Sequence, residues 1–118
     1  MQKLSLDALA REQLDLARQG NGRSATTVVG GHEQVLRQTI IALTAGTSTG
    51  EHESPGEATV HVLAGRVDLT AGSETWTGRS GDLLIVPPSR HALAATEDAA
   101  VLLTVAKSTR SGPADQPG

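Results

Sequence analysis

The stretch Gly81-Asp82-Leu83-Leu84-Ile85-Val86-Pro87-Pro88-Ser89-Arg90-His91 decides how this chain folds. It contains a glycine turn, a short apolar strand, two prolines that end the strand, and then an imidazole. The same components occur earlier, where five residues separate Gly46 from His52 and the apolar run 60–64 leads into Gly65. If these two strands lie side by side, His52 and His91 come together at one end of a β-barrel.

The composition favours one small domain built from strands. The chain has 118 residues, lacks Phe and Tyr, and has Trp76 as its only aromatic residue. Its core must therefore consist of Val, Leu, Ile and Ala, and the β-branched members of that set pack well on a pleated sheet. Cysteine is absent, which excludes disulfides and thiolate metal sites.

The charge pattern argues against nucleic acid and membranes as partners. The net charge is −3, the arginines are scattered, and there are almost no aromatic side chains to stack on bases. The first residues form no apolar leader segment, and no apolar run approaches the length of a membrane span. We therefore expect a cytoplasmic protein with no nucleic-acid and no membrane partner.

The chain divides into an N-terminal helix and linker over residues 1–24, a barrel over 25–107 and a flexible polar tail over 108–118. Ser5 can cap a helix over 5–19, which Gly20 can end. One face of this helix is expected to cover a sheet or a partner subunit; its residues are Leu6, Leu9, Gln13 and Leu16, with Ala10 and Ala17 beside them.

After residue 25 the pattern changes to short apolar segments separated by turn residues. These predict strands at Thr26–Val29, Val35–Leu43, Ala58–Leu63, Arg66–Thr70, Glu74–Thr77, Asp82–Val86, His91–Ala95 and Val101–Val105. Short strands at close spacing are typical of an all-β sandwich or barrel. Because unpaired strand edges are a liability, we also expect a homodimer.

These motifs resemble those of the cupin family, the small double-sheet jelly-roll barrels. The family's first motif is Gly, five residues, His, one residue, His, three or four residues, Glu, six residues, Gly. Its second is Gly, five residues, Pro, one residue, Gly, two residues, His, three residues, Asn. The resemblance implies an all-β double-stranded β-helix, here with a short N-terminal α-helix. The matching residues are Gly46, His52 and Gly65 in the first motif, and Gly81, Pro87 and His91, one position early, in the second.

The sequence also departs from the family at several positions. The second histidine of the first motif is replaced by Ser54 and its glutamate by Ala58, while Ser89 and Ala95 replace the glycine and asparagine of the second motif. Cupins commonly hold a metal with three histidines and one glutamate. Of these four ligands only two carry over, His52 and His91.

Glu57 and His61 are the candidate substitutes for the missing ligands. Residues alternate between the faces of a strand, so both share a face opposite Val60 and Val62. That parity turns them away from the barrel lumen, whereas a one-residue bulge after Pro55-Gly56 would turn them inward. In the inward case the side chains form a set of metal ligands that suits Zn, Ni, Mn or Fe. The members of this set are His52, His91, His61 and Glu57.

Two functions are consistent with these residues. The first is a small-molecule-binding barrel with a depleted metal-ligand set, in a sensory or regulatory role, whose ligand the sequence does not identify. The second is a metal-dependent enzyme of the dioxygenase or isomerase type, using His52 and His91 with the two substitutes.

Overall fold

The computed structural model describes residues 1–53 and 56–107, so Ser54, Pro55 and the tail predicted at 108–118 lie outside the described residues. The chain begins with helix α1, Leu6–Gln19. The Ser5 hydroxyl accepts a hydrogen bond from the Ala8 amide, and the Gly20 amide donates to two carbonyls of the last turn. These contacts satisfy backbone groups that a helix end leaves unpaired.

Helix α1 packs on the outer face of a sheet, as predicted, but Leu14 takes the place of Leu16 in the buried stripe. Leu16 is 48% exposed, so its assignment to the packing face was wrong. The small side chains Ala42 and Ala100 form the surface beneath the helix, and small residues allow the helix backbone to approach closely. The stripe that this contact buries consists of Ala10, Gln13, Leu14 and Ala17.

In residues 1–53 and 56–107, eight strands follow the helix. Their bounds are β1 Arg23–Val29, β2 Leu36–Leu43, β3 Gly56–Ala64, β4 Arg66–Ala71, β5 Glu74–Arg79, β6 Leu83–Ile85, β7 Ala92–Ala95 and β8 Ala99–Lys107. Each contains or overlaps one predicted strand. β1 begins three residues earlier than predicted, so the linker after the helix is only 20–22.

The strands form two antiparallel sheets. The larger has the order β1-β2-β8-β3-β6, and the smaller has the order β5-β4-β7. Residues 47–52 run along the free edge of β7, where the Thr49 amide donates to the Leu93 carbonyl at 2.9 Å. The predicted all-β jelly roll with a short N-terminal helix is thereby confirmed.

The core lies between the two sheets and is aliphatic. On β3 the inward residues Ala58, Val60 and Val62 are buried, and they belong to one cluster with Val67 and Leu93 of the smaller sheet. Full burial of a side chain such as Val62 contributes roughly 1.5–3 kcal/mol to folding. This packing fixes which face of β3 points into the barrel.

Candidate functional site

Backbone pairing brings His52 and His91 together, as the sequence predicted. The two residues exchange a pair of hydrogen bonds, each with an amide nitrogen 2.9 Å from the opposite carbonyl oxygen. Their ring centroids lie 4.6 Å apart and the ring planes meet at 64°. The edge-to-face arrangement leaves the two imidazoles side by side at one end of the barrel.

Local hydrogen bonds select the tautomer of each neutral ring. Nδ1 of His52 lies 3.2 Å from the Gly50 carbonyl oxygen, and Nδ1 of His91 lies 2.8 Å from that of Ser89. A carbonyl oxygen only accepts, so each Nδ1 must carry the proton. In the neutral rings Nε2 then keeps its lone pair, as in histidines that ligate a metal or accept a ligand's proton donor.

The two histidines close a small interior cavity. His91 is only 5% exposed, whereas His52 is exposed at the mouth. The cavity volume is about 30 Å³, which accommodates a water, an ion or one small chemical group. Its walls are aliphatic side chains from both sheets: Ile41, Val60, Leu69, Val86, Leu93 and Val101.

The carboxylates that flank His52 in sequence pair with an arginine at the rim. Arg90 Nε lies 3.1 Å from an oxygen of Glu51, and its Nη1 lies 3.9 Å from an oxygen of Glu53. All three side chains are exposed, so these pairs contribute little to stability. They neutralise Arg90 and leave the imidazoles without a carboxylate beside them in the described part of the chain.

Glu57 and His61 lie on the outer face of the larger sheet and do not join the histidine pair. Pairing of β3 with β8 is regular from Gly56 to Val62, and its only irregularity falls after Val62. The bulge that would turn the two side chains inward is absent there, so the inward alternative is wrong and the outward parity is confirmed. The physical reason is that Val60 and Val62 must fill the core.

A complete metal centre does not assemble among the described residues. Within 1–53 and 56–107 there is no cluster of three or more His, Cys, Asp or Glu side chains. Ala58, which replaces the family's glutamate, is a buried methyl group. The two imidazoles alone therefore do not fit a three-histidine, one-glutamate centre.

Asp98 ties the loop that leads into the site to helix α1. Its carboxylate accepts hydrogen bonds at 2.9 Å from the Ala45 amide and at 2.9 Å from Arg18 Nε. The Ala45 amide and, after it, the Arg18 guanidinium hold the pKa of Asp98 below its ordinary value. The same contact raises the pKa of Arg18.

A wide groove beside the histidine cavity was not predicted. It has a volume of about 420 Å³ and is lined by Asn21, Arg23, Ser24, Ala25, Ile41, Leu43 and Thr49. Sequence reasoning missed it because residues 21–24 were assigned to the linker. Ile41 and Thr49 line both the groove and the small cavity.

Comparison with known proteins identifies the family. The cupin domain model matches residues 39–106, more than half of the chain. The chain therefore belongs to the cupin family. No curated protein matches it with significant sequence similarity.

Solved structures agree with this assignment. A conserved protein of unknown function from Streptococcus pyogenes is 34% identical, with a TM-score of 0.66 over 73% of this chain and 75% of that one. A cupin superfamily protein from Desulfitobacterium hafniense has 19% identity and a TM-score of 0.64 over 72% of this chain and 79% of that one.

An enzyme of known activity shares the fold. Salicylate 1,2-dioxygenase from Pseudoaminobacter salicylatoxidans is 24% identical, with a TM-score of 0.70 over 85% of this chain but only 31% of the dioxygenase. The likeness therefore concerns the fold of about a third of the dioxygenase.

In the described part of this chain, no helix is long and apolar enough to cross a membrane.

Proposed function

We propose that this cupin is a small-molecule-binding barrel with a depleted metal-ligand set. One observation carries the proposal: His52 and His91 meet over an aliphatic cavity with no carboxylate or third imidazole beside them among the described residues. Two Nε2 lone pairs in such a place accept hydrogen bonds from a ligand's hydroxyl or amine group. In this proposal the protein acts in the cytoplasm as a homodimer, in a sensory or regulatory role.

The main alternative is a metal-dependent enzyme of the dioxygenase or isomerase type. The orientation of both imidazoles favours it, because a hydrogen-bonded Nδ1 and a free Nε2 also suit Zn, Ni, Mn or Fe. Glu57 and His61 point away, so two donors would have to hold the ion. We therefore expect weak metal binding.

Metal content discriminates between the two functions. We expect protein purified without a histidine tag to contain clearly less than one metal ion per chain by elemental analysis. His52→Ala and His91→Ala should each remove whatever metal is bound, while His61→Ala, on the outer face, serves as the matched control and should leave it. A full equivalent of metal in the parent that is lost in His52→Ala and His91→Ala would favour the enzyme.

A further inference from the structure

The groove beside the histidine cavity exists because strand β1 extends beyond the smaller sheet. β1 is an edge strand of the five-stranded sheet, and its residues Arg23 and Ala25 share the inward face with their partners Leu43 and Ile41. Both partners belong to the core or pack against it. Arg23 and Ala25 are nevertheless exposed, so no strand of the smaller sheet covers them. The result is an open groove with an aliphatic floor.

The groove adjoins the site at the histidines. Ile41 and Thr49 contribute to the walls of both spaces. At about 420 Å³ the groove falls in the size range of small-molecule sites, whereas the cavity of about 30 Å³ admits only one small group. A ligand held in the groove would therefore reach the imidazoles with one end only.

Arg23 gives the groove a positive charge that no carboxylate neutralises in the described residues. Its Nη1 donates to the Ser48 carbonyl oxygen at 3.3 Å, and it forms none of the ion pairs that the structure shows. Arg18 and Arg90, in contrast, are each paired with two carboxylates. The other residues that line the groove are neutral.

We propose that this groove binds a small amphipathic carboxylate. Arg23 pairs with the carboxylate, because a guanidinium matches the planar carboxylate group with two parallel hydrogen bonds. The aliphatic part of the ligand lies on Ala25, Ile41 and Leu43 and points toward the small cavity. The proposal deepens the proposed function, on which it rests, by giving the class of ligand that the barrel binds.

The test uses hexanoate as the probe and the full chain dialysed against EDTA. Titration calorimetry measures the affinity for hexanoate, hexylamine and hexanol. We expect hexanoate to bind more tightly than the two probes without a carboxylate. Arg23→Gln should weaken hexanoate binding about tenfold, and Arg23→Lys, which keeps the charge, should weaken it less.

Two further variants separate the site from general charge effects. Ala25→Glu places a carboxylate two positions from Arg23 on the same strand face, and it should suppress hexanoate binding without altering Arg23. Arg79→Gln removes an exposed arginine from strand β5 of the smaller sheet and should bind hexanoate like the parent. Unchanged melting temperatures in all four variants would show that the fold is kept.

Three results would overturn the proposal: no detectable hexanoate binding, unchanged affinity in Arg23→Gln, or hexylamine binding as tight as hexanoate. Because the protein is free of metal, none of them depends on the metal content measured for the histidine variants. His91→Ala titrated with 6-hydroxyhexanoate, whose terminal hydroxyl group can donate to an imidazole, then tests the link between the two spaces. A loss of 6-hydroxyhexanoate affinity supports it, and unchanged affinity would overturn the part of the proposal that brings the ligand to the histidines.

Discussion

The histidine pair is oriented by contacts made within a few residues of each ring. In both His52 and His91, Nδ1 is bonded to the carbonyl of the residue two positions earlier. The segment that carries each ring thus sets its tautomer, independently of the rest of the barrel. Only the meeting of the two rings requires the strands to pair.

Gly65 is a residue whose replacement by alanine should harm the fold directly. Its φ is +77°, and a Cβ there would overlap the Asp98 carbonyl oxygen and lie 2.8 Å from Ala99 Cα. We expect Gly65→Ala to lower the free energy of unfolding by about 2–5 kcal/mol, because backbone strain and overlap add. Denaturant unfolding followed by Trp76 fluorescence measures the effect.

The control for this substitution is Gly72→Ala. Gly72 also has positive φ, +61°, but nothing lies within 4 Å of the position that a Cβ would take there. Its replacement should cost only about 1 kcal/mol of conformational strain. Equal losses in the two variants would contradict the role given to the close approach at Gly65.

Asp98 gives the stability a pH dependence with a definite sign. Its pKa is lowered in the folded protein, so its contribution is present above the ordinary value of 3.8 and is lost as the pH falls through the lowered pKa. We expect Asp98→Asn to reduce the melting temperature at pH 7 and this difference from the parent to shrink below pH 3.8. The control is Glu97→Gln, at the neighbouring exposed carboxylate, which should leave the melting temperature at pH 7 unchanged. A difference in melting temperature between Asp98→Asn and the parent that stays constant with pH would argue against the contacts of Asp98 with Ala45 and Arg18.

At the scale of elements, strand β3 shows how packing decides the content of the site. Its alternation buries Ala58, Val60 and Val62 and leaves Glu57 and His61 on the outer face. Turning the two polar side chains inward would require the valines to leave the core. The free energy lost by exposing the valines would exceed the free energy gained from two additional ligands at a weak metal site.

The parity of β3 can be tested with a charge on each face. Val62 is fully buried, so Val62→Asp should lower the free energy of unfolding by about 4 kcal/mol or more. Thr59→Asp, on the opposite face of the same strand, should cost only about 1 kcal/mol. Thermal unfolding of both variants measures the two losses. If the Val62→Asp protein melts like the parent, the inward and outward faces of β3 are assigned wrongly.

At the scale of the whole molecule, the two sheets differ in width, which leaves edges and apolar residues exposed. Edge strand β6 carries Leu83 and Ile85, which are 58% and 62% exposed. Trp76, on edge strand β5, is also half exposed. Unpaired edges with apolar side chains favour association with another chain.

We therefore expect a homodimer in solution. Light scattering at micromolar concentration should give twice the mass of the chain. Ile85→Lys should shift the protein toward the monomer if the β6 edge takes part, whereas Leu16→Lys, at an exposed leucine of helix α1, should not. A monomer mass for the parent would rule the dimer out.

The sequence by itself left the parity of β3 open between two alternatives, but it determined the strand pattern, the helix cap at Ser5 and the two surviving motif histidines. These depend on local geometry: turn residues, alternation and capping act over a few positions. The inference that two ligands were lost came from the resemblance to the cupin motifs, which places Ser54 and Ala58 at ligand positions. It needed no tertiary structure, because the side chain of Ala58 cannot act as a ligand.

Only the tertiary structure decided which leucine of helix α1 packs, where β1 begins, and that a groove opens beside Arg23. Leu14 rather than Leu16 is buried because the surface beneath the helix comes from Ala42 and Ala100, which are distant in sequence. The groove likewise depends on the difference in width between the two sheets. Such features arise from packing between residues that are distant in sequence, and a local pattern of residues does not predict that packing.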